Sequence, residues 1–257
     1  MKKKFRKVAI GVDVGGSGIK GAPVDLKTGQ FMDKRVRIPT PENAEPAEIA
    51  AIIGEIVAKF NLPGEVPVGL SFPAPIVRGQ IPFIANLSKK WAGTFPARLI
   101  AENIQRPVAV MNDADAAGYA EVHFGAARGN KGTVIILTLG TGIGSALVSQ
   151  GTLVPNTEFG HLLLPNGMEA EHFASSAVYE REGLSFEEWG ARLNTVFGHY
   201  EMLFSPDLFI VGGGISKKHA EFLHHITTNA PIVPADLLNT AGIVGAALFA
   251  KQELGED

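Results

Sequence analysis

The chain has 257 residues, a net charge of −3, 46% apolar and 19% charged residues, and no cysteine. That is enough chain for one large or two medium domains with a substantial core, and nothing in the charge argues for nucleic acid or a membrane surface as a partner, so neither is expected. Disulfides and thiolate metal sites are excluded, no stretch approaches a membrane span of about 20 apolar residues, and a cytoplasmic location is the default expectation.

The run K-K-K-F-R-K at Lys2–Lys7 lacks the apolar core of a signal peptide and reads as a solvated terminus. Val8–Val14 alternates and is β-branched, which predicts a strand. G-G-S-G at Gly15–Gly18 and a second strand over Ile19–Val24 complete a hairpin. Its glycines have two readings. In one they only supply positive φ. In the other, backbone N–H groups at Gly15, Gly16 and Gly18 cradle phosphate oxygens, with the Ser17 hydroxyl and the Lys20 charge beside them. Asp13 would then hold Mg²⁺ through water. No helix follows directly, so this is neither a Walker loop nor a Rossmann fingerprint.

After a turn at Lys27–Gly29, Gln30–Ile38 is predicted as a third antiparallel strand. A proline-rich connection over Ile38–Pro46 leads to an amphipathic helix, with Ile49, Ile52, Ile53, Ile56, Val57 and Phe60 at helical spacing. Val66–Phe72 is the next strand. It ends at S-F-P-A-P, where Pro73 and Pro75 stiffen the turn around Ala74. A-N-L-S-K-K-W places Asn86, Lys89, Lys90 and Trp91 on a loop, with the lysines read as a solvated pair, and Arg98–Asn103 is a short helix.

Val108–Met111 is a short β-branched run that reads as a buried parallel strand, followed by N-D-A-D-A-A-G. Asn112 and Asp113 fall in the turn before a helix predicted over Ala114–Phe124. Open α/β sheets place ligands and catalytic groups at that end of a strand. Asp113 suits a general base there; the competing reading makes Asp113 or Asp115 a helix N-cap.

The second half repeats the first. Val134–Leu139 is a strand, L-G-T-G-I-G places Gly140, Gly142 and Gly144 in a turn with the Thr141 hydroxyl, and Ser145–Val148 is a second strand. Two copies of one device predict two similar halves facing each other across a cleft suited to a phosphate chain. In V-P-N-T-E-F-G-H, Glu158 and His161 have three readings: a metal half-site lacking cysteine and a third ligand, a surface loop, or recognition of hydroxyl groups, which need paired donors and acceptors. Glu169, Glu171 or His172 would complete such a ring. Leu184–Phe204 reads as a long helix whose Phe186, Trp189, Leu193, Val196, Phe197, Tyr200 and Phe204 are core. Pro206–Val211 is a strand running into Gly212, Gly213 and Gly214, then a helix from Ser216 with Lys217 and Lys218. A glycine turn opening a helix binds phosphate readily. Ile232–Val233 is a last short strand, and Asn239–Gln252 is a small-residue helix able to pack closely.

The stretches D-V-G-G-S-G-I-K-G, N-D-A-D-A-A-G, L-G-T-G-I-G-S-A, E-F-G-H and V-G-G-G-I-S occur in the order found in the ROK family of sugar kinases. The chain resembles that family over nearly its whole length. A narrower likeness, to the polyphosphate-using glucokinases among its members, is carried by V-P-N-T-E-F-G-H, E-R-E-G-L-S-F-E-E-W, L-F-S-P-D-L-F-I-V-G-G-G-I-S-K-K and A-G-I-V-G-A-A.

The resemblance implies an α/β, actin-like/hexokinase-type fold of two ribonuclease-H-like domains around a cleft. The domains would be 1–111, with 240–257 packing back on it, and 112–239. It implies phosphoryl transfer to the 6-hydroxyl of glucose from inorganic polyphosphate or ATP with Mg²⁺, by a homodimer. Asp113 would be the base and Asn112 a sugar ligand. Glu158 and His161 match the sugar-binding E-x-G-H, and Glu171 matches the Glu of E-x-[FY]-A-S. Pro73, Ala74 and Asn86 would also border the sugar, and Asp13–Lys20, Gly140–Gly144 and Gly212–Gly214 would hold the donor.

Two departures stand out. P-N-G-M-E-A replaces the cysteine-rich zinc motif of many members, so no zinc is expected, and Pro73-Ala74 replaces a Pro-Gly pair, altering the backbone available to the sugar. Lys20, Lys89, Lys90, Arg128, Lys217 and Lys218 are candidates for a polyphosphate track. The alternatives are an ATP-dependent kinase of glucose, mannose, fructose or an N-acetylhexosamine, and a sugar-binding regulator. The regulator would need a helix-turn-helix module, for which only a handful of residues precede the first strand.

Overall fold

A computed structural model describes residues 7–255, and Lys2–Arg6 of the basic run lie outside the described residues. The chain divides into two compact units, Met1–Ala120 with Thr240–Asp257, and Glu121–Asn239.

The first unit is built on a six-stranded sheet. Val8–Gly15 (β1) and Gly18–Asp25 (β2) form the antiparallel hairpin, followed by Gln30–Phe31 (β3) and Val36–Ile38 (β4). Helix Pro46–Ala58 (α1), strand Val68–Phe72 (β5), helix Pro96–Ile104 (α2) and strand Val108–Asn112 (β6) follow, and then helix Asp113–Phe124 (α3), within which the two units divide. The strand order is β3-β2-β1-β5-β6, with β4 also on β2 and with β1, β5 and β6 parallel. The expected single strand over Gln30–Ile38 is two short ones. Asp33 bends the chain, its carboxylate accepting the Lys34 N–H at 2.6 Å, and both pieces still pair with β2.

Period-two alternation assigns the faces of this sheet. Val8, Ile10, Val12 and Val14 join Ile49, Ile53 and Ile56 of α1 in one core. On the other face Gly11 and Gly69 meet the C-terminal helix, Ala241–Leu254. A Cβ at Gly11 would lie 1.9 Å from the Ile243 carbonyl oxygen, and one at Gly69 would lie 1.8 Å from that of Ala246. The expected close packing of this small-residue helix is therefore backbone on backbone.

The second unit holds Thr133–Leu139 (β7), Ile143–Ser149 (β8), Thr152–Val154 (β9), Leu208–Gly212 (β10) and Ile232–Pro234 (β11), in the order β11-β10-β7-β8-β9. Strands β7, β8 and β9 are antiparallel neighbours, and β7, β10 and β11 are parallel. This is the order of the first sheet repeated: a hairpin with a short third strand on one side and two parallel strands on the other. Strand β9 was not expected; it follows a two-residue turn at Gln150–Gly151.

Helices Ala170–Ala174 (α4), Ser176–Glu182 (α5), Phe186–Phe204 (α6) and His219–Phe222 (α7) complete the unit. Ile135, Leu137 and Leu139 pack with Trp189, Leu193, Val196, Phe197 and Tyr200 of α6, while Val134 and Ile136 face a separate core with Ala146, Val148 and Ile210. Among the described residues no helix is long and apolar enough to cross a membrane.

One buried charge ties distant parts of this unit. Glu121, fully buried in α3, accepts the N–H groups of Ala126 at 2.8 Å, Asp236 at 3.2 Å and Leu237 at 2.9 Å. The last two lie in the segment that returns the chain to the first unit.

Candidate functional site

In the first unit the candidate groups gather at the carboxyl ends of its parallel strands. Asp13 pairs in register with Lys20 across the hairpin and with Ser71 of β5. Its Oδ2 lies 3.2 Å from Lys20 Nζ, and its Oδ1 accepts the buried Ser71 hydroxyl at 3.3 Å. Asn112 ends β6 opposite Phe72, with Pro73 and the buried Ala74 just beyond. Asn112 caps α3: its Oδ1 accepts the N–H groups of Ala114 at 2.8 Å and Asp115 at 3.1 Å. The competition over the cap thus ends with neither aspartate as its main holder. Asp113 is exposed, the first residue of α3, and its Oδ1 also accepts the Ala114 N–H at 2.8 Å.

Asn86 is on an exposed loop against the hairpin turn that follows β1, where it lines a cavity of about 450 Å³ with Gly16, Thr40 and Ser88. The neighbouring lysines are engaged rather than simply solvated. Lys89 Nζ donates to the Ile84 carbonyl at 2.6 Å, and Lys90 Nζ lies 2.7 Å from Glu45.

In the second unit Glu158, His161 and Glu171 come together. Ser145 of β8 straps the E-F-G-H turn, its Oγ accepting the Phe159 N–H at 2.9 Å, and Tyr200 of α6 donates to the Phe159 carbonyl at 2.6 Å. Burial pushes the Tyr200 phenol well up, so it stays a donor. Glu171 on α4 accepts the Ile143 N–H at 3.3 Å. A Cβ at Gly142 would lie 2.3 Å from its Oε2, so a side chain at this position would displace the carboxylate.

Burial raises the Glu158 carboxyl, opposed by His161 and assisted by Glu171. His161 is raised chiefly by its 2.8 Å hydrogen bond to Glu169, against partial burial, and further by the charges of Glu171, Glu169 and Glu158. Glu169 is the partner that spacing alone did not single out.

His161 gains this partner on folding, so its proton favours the folded state. That contribution is complete below the unfolded value of about 6.5 and is lost as pH rises through the raised folded value. Denaturation of the wild type and of His161→Gln as a function of pH should show the two stabilities converging above that value. A difference independent of pH would contradict the pairing.

The glycine turns separate by cause. Positive φ is not the reason for Gly15, Gly16, Gly18, Gly140 or Gly142, none of which has it. Gly213 does need it, at φ +86°, and a Cβ there would lie 2.3 Å from the Leu139 carbonyl oxygen, so the G-G-G turn presses on the end of β7. Gly212 ends β10, Gly144 lies within β8 opposite Thr138, and Thr141 is exposed at the hairpin tip. Around Gly140 and Gly214 an added Cβ would meet nothing within 4 Å.

The helix expected from Ser216 is instead a 3-10 turn over Gly214–Lys218 and the single turn α7. Ser216 turns back on Gly213, its Oγ donating to the Gly213 carbonyl at 2.8 Å, which competes with a regular helix start. The helix-dipole argument for phosphate is thereby lost at this turn. Lys217 and Lys218 are exposed, with Lys218 Nζ 5.8 Å from the centre of the Phe186 ring.

Two sheets of one repeated strand order, each led by a glycine-tipped hairpin, define the actin-like/hexokinase-type fold of sugar kinases. The chain belongs to the ROK family, whose model matches residues 9–174. It is 46% identical over 239 residues to the polyphosphate glucokinase of Mycobacterium tuberculosis, covering 93% of this chain and 89% of that one. Among solved structures, it is similar to an inorganic polyphosphate/ATP-glucomannokinase from Arthrobacter sp. strain KM, with TM-score 0.92 and 48% identity over 96% of this chain and 99% of that one. A ROK family glucokinase from Streptomyces griseus, crystallised with glucose and AMPPNP, gives TM-score 0.80 and 25% identity over 95% and 99%.

Proposed function

We propose that this protein is a glucokinase that transfers the terminal phosphoryl group of inorganic polyphosphate to the 6-hydroxyl of glucose. The observation that carries this reading is the likeness to a polyphosphate glucokinase along nearly the whole of both chains. In the reaction, the glucose 6-oxygen forms a bond to the terminal phosphorus while the bridging P–O bond breaks. Asp113 takes the hydroxyl proton, and the shortened polyphosphate leaves with the electron pair. Phosphoryl transfer of this loose kind depends on positioning and charge rather than on covalent help from the protein.

Asn112, Glu158, His161 and Glu171 hold the sugar hydroxyls in this reading, with Pro73, Ala74 and Asn86 bordering them. The donor oxygens meet Lys20, Ser17, Thr141 and the backbone of Gly15, Gly16, Gly18, Gly140, Gly142, Gly144 and Gly212–Gly214. Asp13 is the group suited to Mg²⁺. Its carboxylate is partly exposed and shared between Ser71 and Lys20, which fits a hydrated ion held by one carboxylate and the donor's own phosphates. Such an ion supplies positive charge to the donor oxygens. The same reading makes the protein a homodimer, which sedimentation would test.

The Arthrobacter relative, named for both polyphosphate and ATP and for two sugars, favours a second reading with ATP as an alternative donor and mannose as an alternative acceptor. Initial rates with purified polyphosphate and with ATP, each against glucose and mannose, test both. A strong preference for ATP would overturn polyphosphate as the principal donor.

The open glycines give a sharper expectation. Gly140→Ala meets no protein atom within 4 Å and no φ barrier, so the melting temperature should hold. If the donor lies against this backbone, its KM should rise by about tenfold or more, which corresponds to about 1.4 kcal/mol of lost binding. An unchanged donor KM would remove Gly140 from the donor site.

A further inference from the structure

The E-F-G-H turn and the start of α4 are joined by a compact loop that closes on itself. Leu164 N–H donates to the Met168 carbonyl at 2.8 Å, Gly167 N–H donates to the Leu164 carbonyl at 2.8 Å, and Ala170 N–H donates to the Leu162 carbonyl at 3.0 Å. Gly167 turns the chain at φ +79°, and Leu163 and Glu169 face each other as an antiparallel bridge. This closure returns Glu169 to the side of His161. Glu169 is the N-cap residue of α4, yet its side chain makes no cap bond to that helix. Its Oε2 lies 2.8 Å from His161 Nδ1 instead.

The other charged groups facing His161 stand differently. Glu171 Oε1 is 3.8 Å from Nδ1, and its Oε2 accepts the Ile143 N–H. His172, on α4, lies 3.8 Å from both Glu169 and Glu171, and Glu158 acts on His161 through charge alone. The two glutamates at the start of α4 therefore differ: Glu171 turns Oε2 to the glycine hairpin and keeps Oε1 on the side of His161, and Glu169 bonds the imidazole.

We infer that Glu169 is a positioning residue for sugar recognition: it holds the Nδ1 proton of His161 and so fixes the ring with Nε2 presented to a hydroxyl of the acceptor. The inference rests on the proposed sugar-binding role of His161. An imidazole bonded at one nitrogen has its tautomer and ring plane set, and the opposite nitrogen then offers one defined hydrogen-bonding direction. The carboxylate also favours the charged ring, in which Nε2 donates.

The test has two arms. The first needs no sugar: the imidazole titration of His161 is followed by NMR in the wild type, Glu169→Gln and Glu169→Ala, with the resonance assigned by its loss in His161→Gln. Both Glu169 variants should titrate at lower pH than the wild type. The second arm is calorimetric titration with glucose across pH. Glu169→Ala should weaken glucose binding by about tenfold. Glu169→Gln, which keeps an acceptor for Nδ1–H, should recover most of that loss at low pH. Its affinity should then fall off at lower pH than that of the wild type.

Wild-type glucose affinity in Glu169→Ala, or an unmoved His161 titration in both variants, overturns the inference. So does a lowered melting temperature with the pH dependence of glucose binding unchanged, because that is a structural role alone. A wild type that binds no glucose overturns the functional reading and the sugar role of Glu169 with it, while the first arm still reports whether the pair exists.

Discussion

Replacing Asp113 by Asn is expected to lower kcat by about 10² or more while glucose binding changes little, which is the range lost when a positioned general base is removed. The helix cap does not rest on this carboxylate alone. Asn112 holds the first turn of α3 with two hydrogen bonds, and an asparagine amide oxygen at position 113 can still accept the Ala114 N–H. The substitution keeps volume and polarity and removes the negative charge together with the ability to take a proton. Steady-state rates with glucose and polyphosphate, a melting curve and a glucose titration suffice. Turnover within a few-fold of wild type would remove Asp113 from the chemistry and leave it as an ordinary residue of a helix start.

The largest expected effect on stability is at Glu121. Glu121→Gln is nearly isosteric, so core volume is kept; its one amide oxygen can take the place of Oε2 and accept from Ala126 and Asp236, but the NH₂ then faces the Leu237 N–H that Oε1 accepts. Buried hydrogen bonds to a charged group contribute about 1.5–3 kcal/mol each and are not additive, so a loss of roughly 3 kcal/mol or more is expected. Guanidinium unfolding followed by far-ultraviolet circular dichroism measures it. A loss below about 1 kcal/mol would mean that the Leu237 N–H finds another partner and that the charge adds little, and the clamp would then be incidental.

How much of this was legible in the sequence depends on whether the cause was local. Strand alternation in Val8–Val14 and Val134–Leu139 reflects period-two burial on a sheet, and the structure keeps both strands and their hairpins. The small-residue C-terminal helix announced close packing, although not that Gly11 and Gly69 would be the surfaces receiving it. Local side-chain bonds misled the reading in two places: Asp33 broke a strand, and Ser216 broke a helix.

Long-range partners left no trace. Glu121 looks like an ordinary helix glutamate until residues more than a hundred positions away are brought to it. Glu169 was visible as an acidic neighbour of Glu171, but its bond to His161 depends on the closure of the intervening loop. The glycine motifs were found by pattern, and only the structure shows which is demanded by packing, as at Gly213, which borders a carboxylate, as at Gly142, and which stand open, as at Gly140 and Gly214.

The chain contains two tryptophans, and they fall one to each unit. Trp91 is fully buried against Phe72 with its indole N–H on the Ala44 carbonyl, and Trp189 is fully buried beside Phe222 with its N–H on that of Ala174. Each half of the molecule therefore carries its own intrinsic fluorophore in a dry, hydrogen-bonded setting. Single-tryptophan variants made with phenylalanine would let emission from either half be followed alone, so a chemist could ask whether the halves melt together or in turn without attaching a dye.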